Sequence, residues 1–208
     1  MTLRIVAMSD THGLHRQIAV PEGDVLVHAG DLTAHGRLEE LQELNSWLGS
    51  LPHRHKLVIA GNHDWACAEV PELIPQILSN ATYLCDSLIT IDGVRCYGSP
   101  WQPRFFDWAF NLERPELRRV WAQVPTGVDV LITHTPPYRI FDTTYRGDAA
   151  GCPELAAALR RIRPRLHLFG HIHEAYGHAT LGATIFANAS CCTMHYQPVN
   201  PPLVFTLT

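Results

Sequence analysis

Five short apolar runs, each closing on aspartate, histidine or asparagine, constrain this chain more than any other feature. They occupy residues 3–8, 25–27, 57–60, 128–132 and 166–169. Runs this brief and nearly continuous suit strands covered on both faces, as in an α/β sheet. After the first comes Ser9-Asp10-Thr11-His12, and after the second His28-Ala29-Gly30-Asp31. The third opens onto Gly61-Asn62-His63-Asp64, the fourth onto Thr133-His134, and the fifth onto Gly170-His171-Ile172-His173. Ligands of open α/β sheets bind beyond the carboxyl ends of the strands. Five strands therefore predict one crevice that collects these side chains.

Between the runs lie helices and turns. Leu38, Leu41, Leu44 and Leu48 follow a helical stripe, with Glu39, Glu40 and Glu43 turned to solvent. Residues 153–163 begin with proline and end in Arg160, Arg161 and Arg163, which suits the two termini of a helix. Asp92-Gly93 between 88–91 and 94–97 predicts a hairpin. Residues 99–111 and 135–152 carry aromatics, prolines and glycines without periodicity and are expected to be loops with a purpose.

A chain of 208 residues with 46% hydrophobic and 17% charged residues is expected to fold as one domain spanning 1–208. Its net charge of −4 argues against binding a long nucleic acid or an acidic membrane surface. No apolar stretch approaches the roughly 20 residues of a membrane span. Six cysteines without a C-x-x-C, and no basic-then-apolar leader before Leu3, predict reduced thiols in a cytoplasmic protein. Thirteen histidines beside 16 Lys+Arg are the unusual entry in the composition.

The strand-end set mixes imidazole, carboxylate and amide oxygen, a donor mixture suited to Mn, Fe, Zn or Co. It is too large for one tetrahedral zinc. Two metals sharing a carboxylate would use it, and such a pair activates water for in-line attack on phosphorus. Of the other histidines, His53 and His55 read as a surface loop, His28 as a packed residue behind the site, and His15 as within reach of its rim.

The ordered series Asp10-x-His12, Gly30-Asp31, Gly61-Asn62-His63-Asp64, His134 and Gly170-His171-x-His173 resembles the calcineurin-like metallophosphoesterase superfamily. Residues 98–103 (GSPWQP), 108–111 (WAFN), 133–137 (THTPP), 170–177 (GHIHEAYG) and 188–190 (NAS) are similar to its metallophosphoesterase-domain-containing, brain-239-like subfamily. The resemblance implies a four-layer α/β sandwich, two mixed sheets flanked by helices. It implies a first metal held by Asp10, His12, Asp31 and His173, and a second by Asp31, Asn62, His134 and His171. Asp31 would bridge the pair, and a bridging hydroxide would attack phosphorus. Mn is the first choice of metal, with Fe, Zn or Co as alternatives. His63 would stabilise charge or protonate the leaving oxygen, with Asp64 as its orienting partner. Asn62, His63, Arg104 and Arg146 are the candidate phosphate contacts.

The implied activity is hydrolysis of small phosphodiesters, cyclic nucleotides among them. The alternatives are a phosphomonoesterase or protein phosphatase of the same fold, and a weakly catalytic nucleotide-binding or scaffold protein. Some subfamily members carry glycine in place of a histidine of the last motif, whereas this chain keeps both His171 and His173.

Overall fold

The computed structural model describes residues 2–208. The first half of the chain forms β1 (Leu3–Met8), β2 (Val25–Ala29), α1 (Leu38–Ser50), β3 (His55–Ile59), the short helices α2 (Trp65–Glu69) and α3 (Ile74–Ile77), and β4 (Thr82–Tyr83). Next come β5 (Ser87–Ile91), β6 (Val94–Ser99), β7 (Gln102–Pro103), β8 (Asn111–Leu112), α4 (Arg114–Gln123) and β9 (Val130–Thr133). The chain ends with α5 (Pro153–Ile162), β10 (Leu166–Phe169), β11 (Gly177–Leu181), β12 (Thr184–Asn188) and β13 (Leu203–Leu207).

These strands build two large mixed sheets. One runs β13-β1-β2-β3-β4, parallel except for β13. The other runs β11-β12-β10-β9-β6-β5, parallel at its centre and antiparallel at both edges. Alternation along each strand sorts the side chains into layers. Ile5, Ala7, Val27 and Ile59 meet Val130, Ile132 and Leu168 between the sheets. Val6, Met8, Leu26 and Val58 face the other way, onto Leu41, Leu44 and Leu48 of α1. Tyr97 and Leu131 do the same on the second sheet, against Leu117 and Trp121 of α4 and Leu155 and Ile162 of α5. Leu41, Leu44 and Leu48 are completely buried, each such side chain contributing about 2 kcal/mol. The result is the expected sandwich, helix–sheet–sheet–helix.

Local chemistry sets the boundaries. Asp92 and Gly93 both take positive φ, at 49° and 85°, the conformation of a two-residue hairpin turn between β5 and β6. Helix α5 starts at Pro153 and stops at Arg163, whose φ of 49° breaks the helical run. The expected strand at 128–132 begins only at Val130. Asp129 is drawn into the turn, accepting Arg95 N on its carboxylate and Arg165 N on its carbonyl. The loop expected at His53 and His55 is corrected. His55 opens β3, paired with Val25, and His53 is buried with Nε2 2.9 Å from Pro21 O. All six cysteines are free, Cys191 and Cys192 included, and no helix among the described residues is long and apolar enough to cross a membrane.

Candidate metal centre

The carboxyl ends of β1, β2, β3, β9 and β10 bring their ligand-type side chains together, and the chain leaves them by tight turns. Asp10, His12, Asp31 and His171 all adopt left-handed backbone, with φ of 53°, 44°, 53° and 70°. Such values are uncommon for residues with a side chain and mark positions held by their surroundings. Glycine is required beside them. A Cβ on Gly61 would collide with Asp31, and one on Gly170 with Asp10 Oδ2 and Ser9 Oγ.

Two groups of donor atoms result. Ligand atoms of Asp10, His12, Asp31 and His173 lie within 4.8 Å of one another, and so do those of Asp31, His134 and His171. Asp31 belongs to both. Asn62 joins the second group, with its Oδ1 3.0 Å from His134 Nε2.

The tautomers show what such a set can hold. His134 Nδ1 lies 3.0 Å from Ala29 O and His173 Nδ1 lies 3.0 Å from Thr193 O. A carbonyl only accepts, so each Nδ1 carries a proton toward it and each Nε2 is the nitrogen turned toward the other ligand-type atoms. His173 Nε2 is then 3.1 Å from His12 Nε2 and 3.2 Å from Asp10 Oδ1. His134 Nε2 is 3.5 Å from Asp31 Oδ2. Lone pairs and carboxylates meeting at these distances repel unless a positive charge, a proton or a cation, lies among them. The donor set fits divalent metal.

The electrostatics agree. Burial favours the neutral carboxyl of Asp10, but the hydrogen bond and charge of His173, with the charge of His134, hold it well below the usual range. Asp31 is likewise held low against burial by His134, His12 and His63. Burial disfavours the imidazolium of His134, yet Asp31 and Asp10 lift it to about 9. His173 is raised despite its burial, chiefly by Asp10. Burial dominates at His12 and His171, pushed down to about 4 and about 3. The carboxylates are ionised at neutral pH, and two of the four imidazoles are already neutral.

Behind the ligand-type residues stands a layer of fully buried polar groups. Ser190 Oγ lies 2.9 Å from Asp10 Oδ2 and 2.8 Å from Asn188 Oδ1, while Asn188 Nδ2 donates to Ile172 O. Asn188 thus supports the site through Ser190. His28 bonds Thr11 between Asp10 and His12, and His167 bonds Thr133 beside His134, each at 2.9 Å. Burial pushes both imidazoles down to about 3, so each sheet carries one neutral histidine behind its strand ends.

His63 lies beside this cluster. Its backbone N–H donates to Asp31 Oδ1 at 2.8 Å and its ring Nδ1 is 3.2 Å from Ala34 O. The expected partnership with Asp64 is corrected. The Asp64 carboxylate accepts Gly61 N, Leu32 N, Thr33 N and Thr33 Oγ1, which stitches the turns after β2 and β3 together. Those four donors are its neighbours in the fold, so it shapes the turn that carries His63. Burial, with the charge of Asp31, nevertheless raises it to about 6.

Arg104 pairs with Glu113 and Asp107, and Arg146 bonds the hydroxyl of Tyr145, so both phosphate candidates are engaged on exposed loops. His15 packs on Trp47 at 4.7 Å and lies 2.7 Å from Glu43, which places it under α1 rather than at the rim. The rim is aromatic instead. The Phe105 ring stands 5.9 Å from that of His171, and the Tyr196 ring 4.7 Å from that of His12. Tyr196 is 49% exposed and takes a φ of 55°. Nothing in its surrounding sequence marks it, because it arrives from the loop before β13.

The calcineurin-like phosphoesterase family model matches residues 3–175. The human metallophosphoesterase domain-containing protein 1 is 46% identical over 230 residues, covering 98% of this chain and 71% of that protein. A UPF0046 protein of Caenorhabditis elegans is 38% identical over 237 residues, covering 99% of this chain and 60% of that one. Among solved structures, TT1561 of Thermus thermophilus superposes with a TM-score of 0.61 at 15% identity, over 90% of this chain and 89% of that chain. The structural likeness speaks for the fold. The sequence match runs through all five strand ends, and this chain belongs to the calcineurin-like phosphoesterase family.

Proposed function

We propose that the protein hydrolyses small phosphodiesters, cyclic nucleotides included, at two adjacent metal positions. Asp10, His12, Asp31 and His173 would hold the first metal, and Asp31, Asn62, His134 and His171 the second, with Asp31 common to both. Divalent cations, Mn by preference and Fe, Zn or Co as alternatives, would polarise the phosphoryl oxygens and make water a nucleophile near neutral pH. The observation that carries this reading is the pair of donor groups joined at Asp31, with Nε2 of His134 and His173 turned inward.

His63 would serve the leaving oxygen. With Nδ1 engaged at Ala34 O, its Nε2 is the nitrogen available to a substrate. Preference for a diester is supported by the rim, where Phe105 stands beside His171 and Tyr196 beside His12, one ring for the organic group on either side of a phosphate. It is supported too by Arg104, whose charge is spent on Glu113 and Asp107 rather than offered to a dianionic monoester. The six free thiols favour a reducing compartment, and we place the protein in the cytoplasm.

The test is a substrate panel with Mn-loaded protein. It compares bis-p-nitrophenyl phosphate, p-nitrophenyl phosphate and the 2′,3′- and 3′,5′-cyclic nucleotides. Diesters are expected to turn over fastest. A monoester preference points to the phosphomonoesterase reading, and activity on none of them to a binding or scaffold protein.

A further inference from the structure

The imidazole of His63 is held by a tryptophan rather than a carboxylate. The Trp108 indole stacks on it at a centroid separation of 4.4 Å and an interplanar angle of 25°. His12 meets the same imidazole edge-on, at 4.5 Å and 78°. The hydrogen bond from Nδ1 to Ala34 O fixes one atom but leaves the ring free to swing about it. A stacked neighbour removes that rotation.

Both restraints are themselves anchored. Ala34 N donates to Glu40 Oε1 at 3.0 Å, which ties the carbonyl's turn to the first turn of α1. Ala109 N donates to Asn62 O at 3.3 Å, so the loop bearing Trp108 is fastened to the residue before His63. Ala109 and Phe110, which follow the indole, are buried in the core beneath α1. Trp108 therefore comes from a separate loop yet moves with the His63 turn.

We infer that Trp108 is a positioning residue: its indole holds the His63 imidazole in the orientation from which Nε2 serves the leaving oxygen. The inference rests on the phosphodiesterase reading above. In that reaction the ring, protonated at both nitrogens, passes its Nε2 proton to the ester oxygen as that oxygen's bond to phosphorus breaks, keeps the Nδ1 proton on Ala34 O, and regains the other from solvent. A misaligned ring slows proton delivery without disturbing the metal positions. A good leaving group, which departs as a stable anion, needs little of that proton, whereas a poor one needs it fully.

The experiment uses Mn-loaded protein and two esters, methyl p-nitrophenyl phosphate and methyl phenyl phosphate. Trp108→Leu is expected to lower kcat on the phenyl ester about 10- to 100-fold. On the nitrophenyl ester the expected loss is under about threefold, with KM and metal content unchanged. Trp108→Phe, which keeps a flat ring, is expected to restore most of the phenyl-ester rate. In a His63→Ala background Trp108→Leu should cost nothing further, because the group it positions is gone.

Equal losses on both esters, losses that multiply in the double variant, or loss of metal in Trp108→Leu would each overturn the inference. A second arm needs no turnover. In metal-free protein the His63 ring protons should be displaced upfield by the indole, and Trp108→Leu should abolish that displacement and mix the Nδ1–H and Nε2–H tautomers. Ring-proton shifts and a tautomer unchanged by the substitution refute the positioning role on their own. Wild-type inactivity on both esters, with this spectroscopic signature intact, refutes the phosphodiesterase reading and leaves the orientation of His63 established.

Discussion

Replacing Asp31 by asparagine tests the centre at the residue its two halves share. The substitution removes one negative charge and keeps both shape and an oxygen to accept the His63 N–H, now at 2.8 Å. Its first consequence falls on His134, which is fully buried. Burial alone drives that imidazole toward its neutral form, and the carboxylates of Asp31 and Asp10 lift it instead to about 9. From the ordinary 6.5 to about 9 is a span worth roughly 3 kcal/mol at about 1.4 kcal/mol per tenfold change in proton affinity. Asp31 heads the groups responsible, so in Asp31→Asn the His134 midpoint should fall to the ordinary value or below it. An NMR titration of the His134 ring in metal-free protein reads this directly. Its second consequence is stoichiometric. Both donor groups contain Asp31, so elemental analysis should drop from two metals per chain to fewer than one. A His134 midpoint that stays near 9, or retention of both metals, would refute the shared-carboxylate reasoning.

Ser190→Ala removes the hydroxyl between Asp10 and Asn188. Loss of such a supporting bond should weaken metal at the first position by about 10- to 100-fold and leave the second nearly unchanged, as a stepwise metal titration would show. Gly170→Ala drives a methyl group into Asp10 Oδ2 and Ser9 Oγ. Overpacking of this kind costs about 1–3 kcal/mol, so a lowered Tm accompanied by loss of metal is expected, and an unchanged Tm would contradict the geometry. Metal binding should also strengthen with pH. His134 lies at about 9 and His173 is raised, so cations must displace their protons, whereas His12 and His171, at about 4 and about 3, have none to release at neutral pH. Calorimetry in buffers of differing ionisation heat should show proton release near pH 7 and affinity rising toward pH 9; an affinity flat from pH 6 to 9 would exclude it. The sign for the metal-free fold is opposite. A raised His134 stabilises it fully below about 6.5, and that contribution fades as pH rises through about 9.

Strand ends were legible because they combine two local signals, a buried apolar run and a polar residue immediately after it. That is why β1, β10 and the hairpin of β5 and β6 lie where the residues predict, and why the seven ligand-type side chains come together. Helix α4 shows the opposite case. Only Leu117 and Trp121 of its ten residues are buried, too sparse a stripe to stand out among Arg114, Arg118 and Arg119. Asp64 shows a third. Adjacency to His63 made it the natural partner, but side chains of neighbouring residues in a tight turn diverge, and its carboxylate went to the amides of the β2 turn instead. The residues that complete the site reach it across the fold from distant parts of the sequence, Ser190, Tyr196 and Trp108 from loops and Asn188 from the end of β12.

The least legible property is backbone conformation. Asp10, His12, Asp31 and His171 each sit in left-handed space, at a cost of about 1–3 kcal/mol apiece, and no motif spacing announces it. Long-range hydrogen bonds hold them there: Asp10 N to Gly30 O, His12 N to Asp31 O, and His171 N to the Asp10 carboxylate. Each of these bonds joins one ligand-type residue to another or to its immediate neighbour. The turns therefore cannot relax one at a time, and the strain at each is set against contacts made by the rest. A motif with the same residues on a different pair of strands would lack those bonds, so the side chains alone do not make the centre. Its geometry resides in the register of β1 on β2 and in the packing of the two sheets that brings the end of β10 beside them.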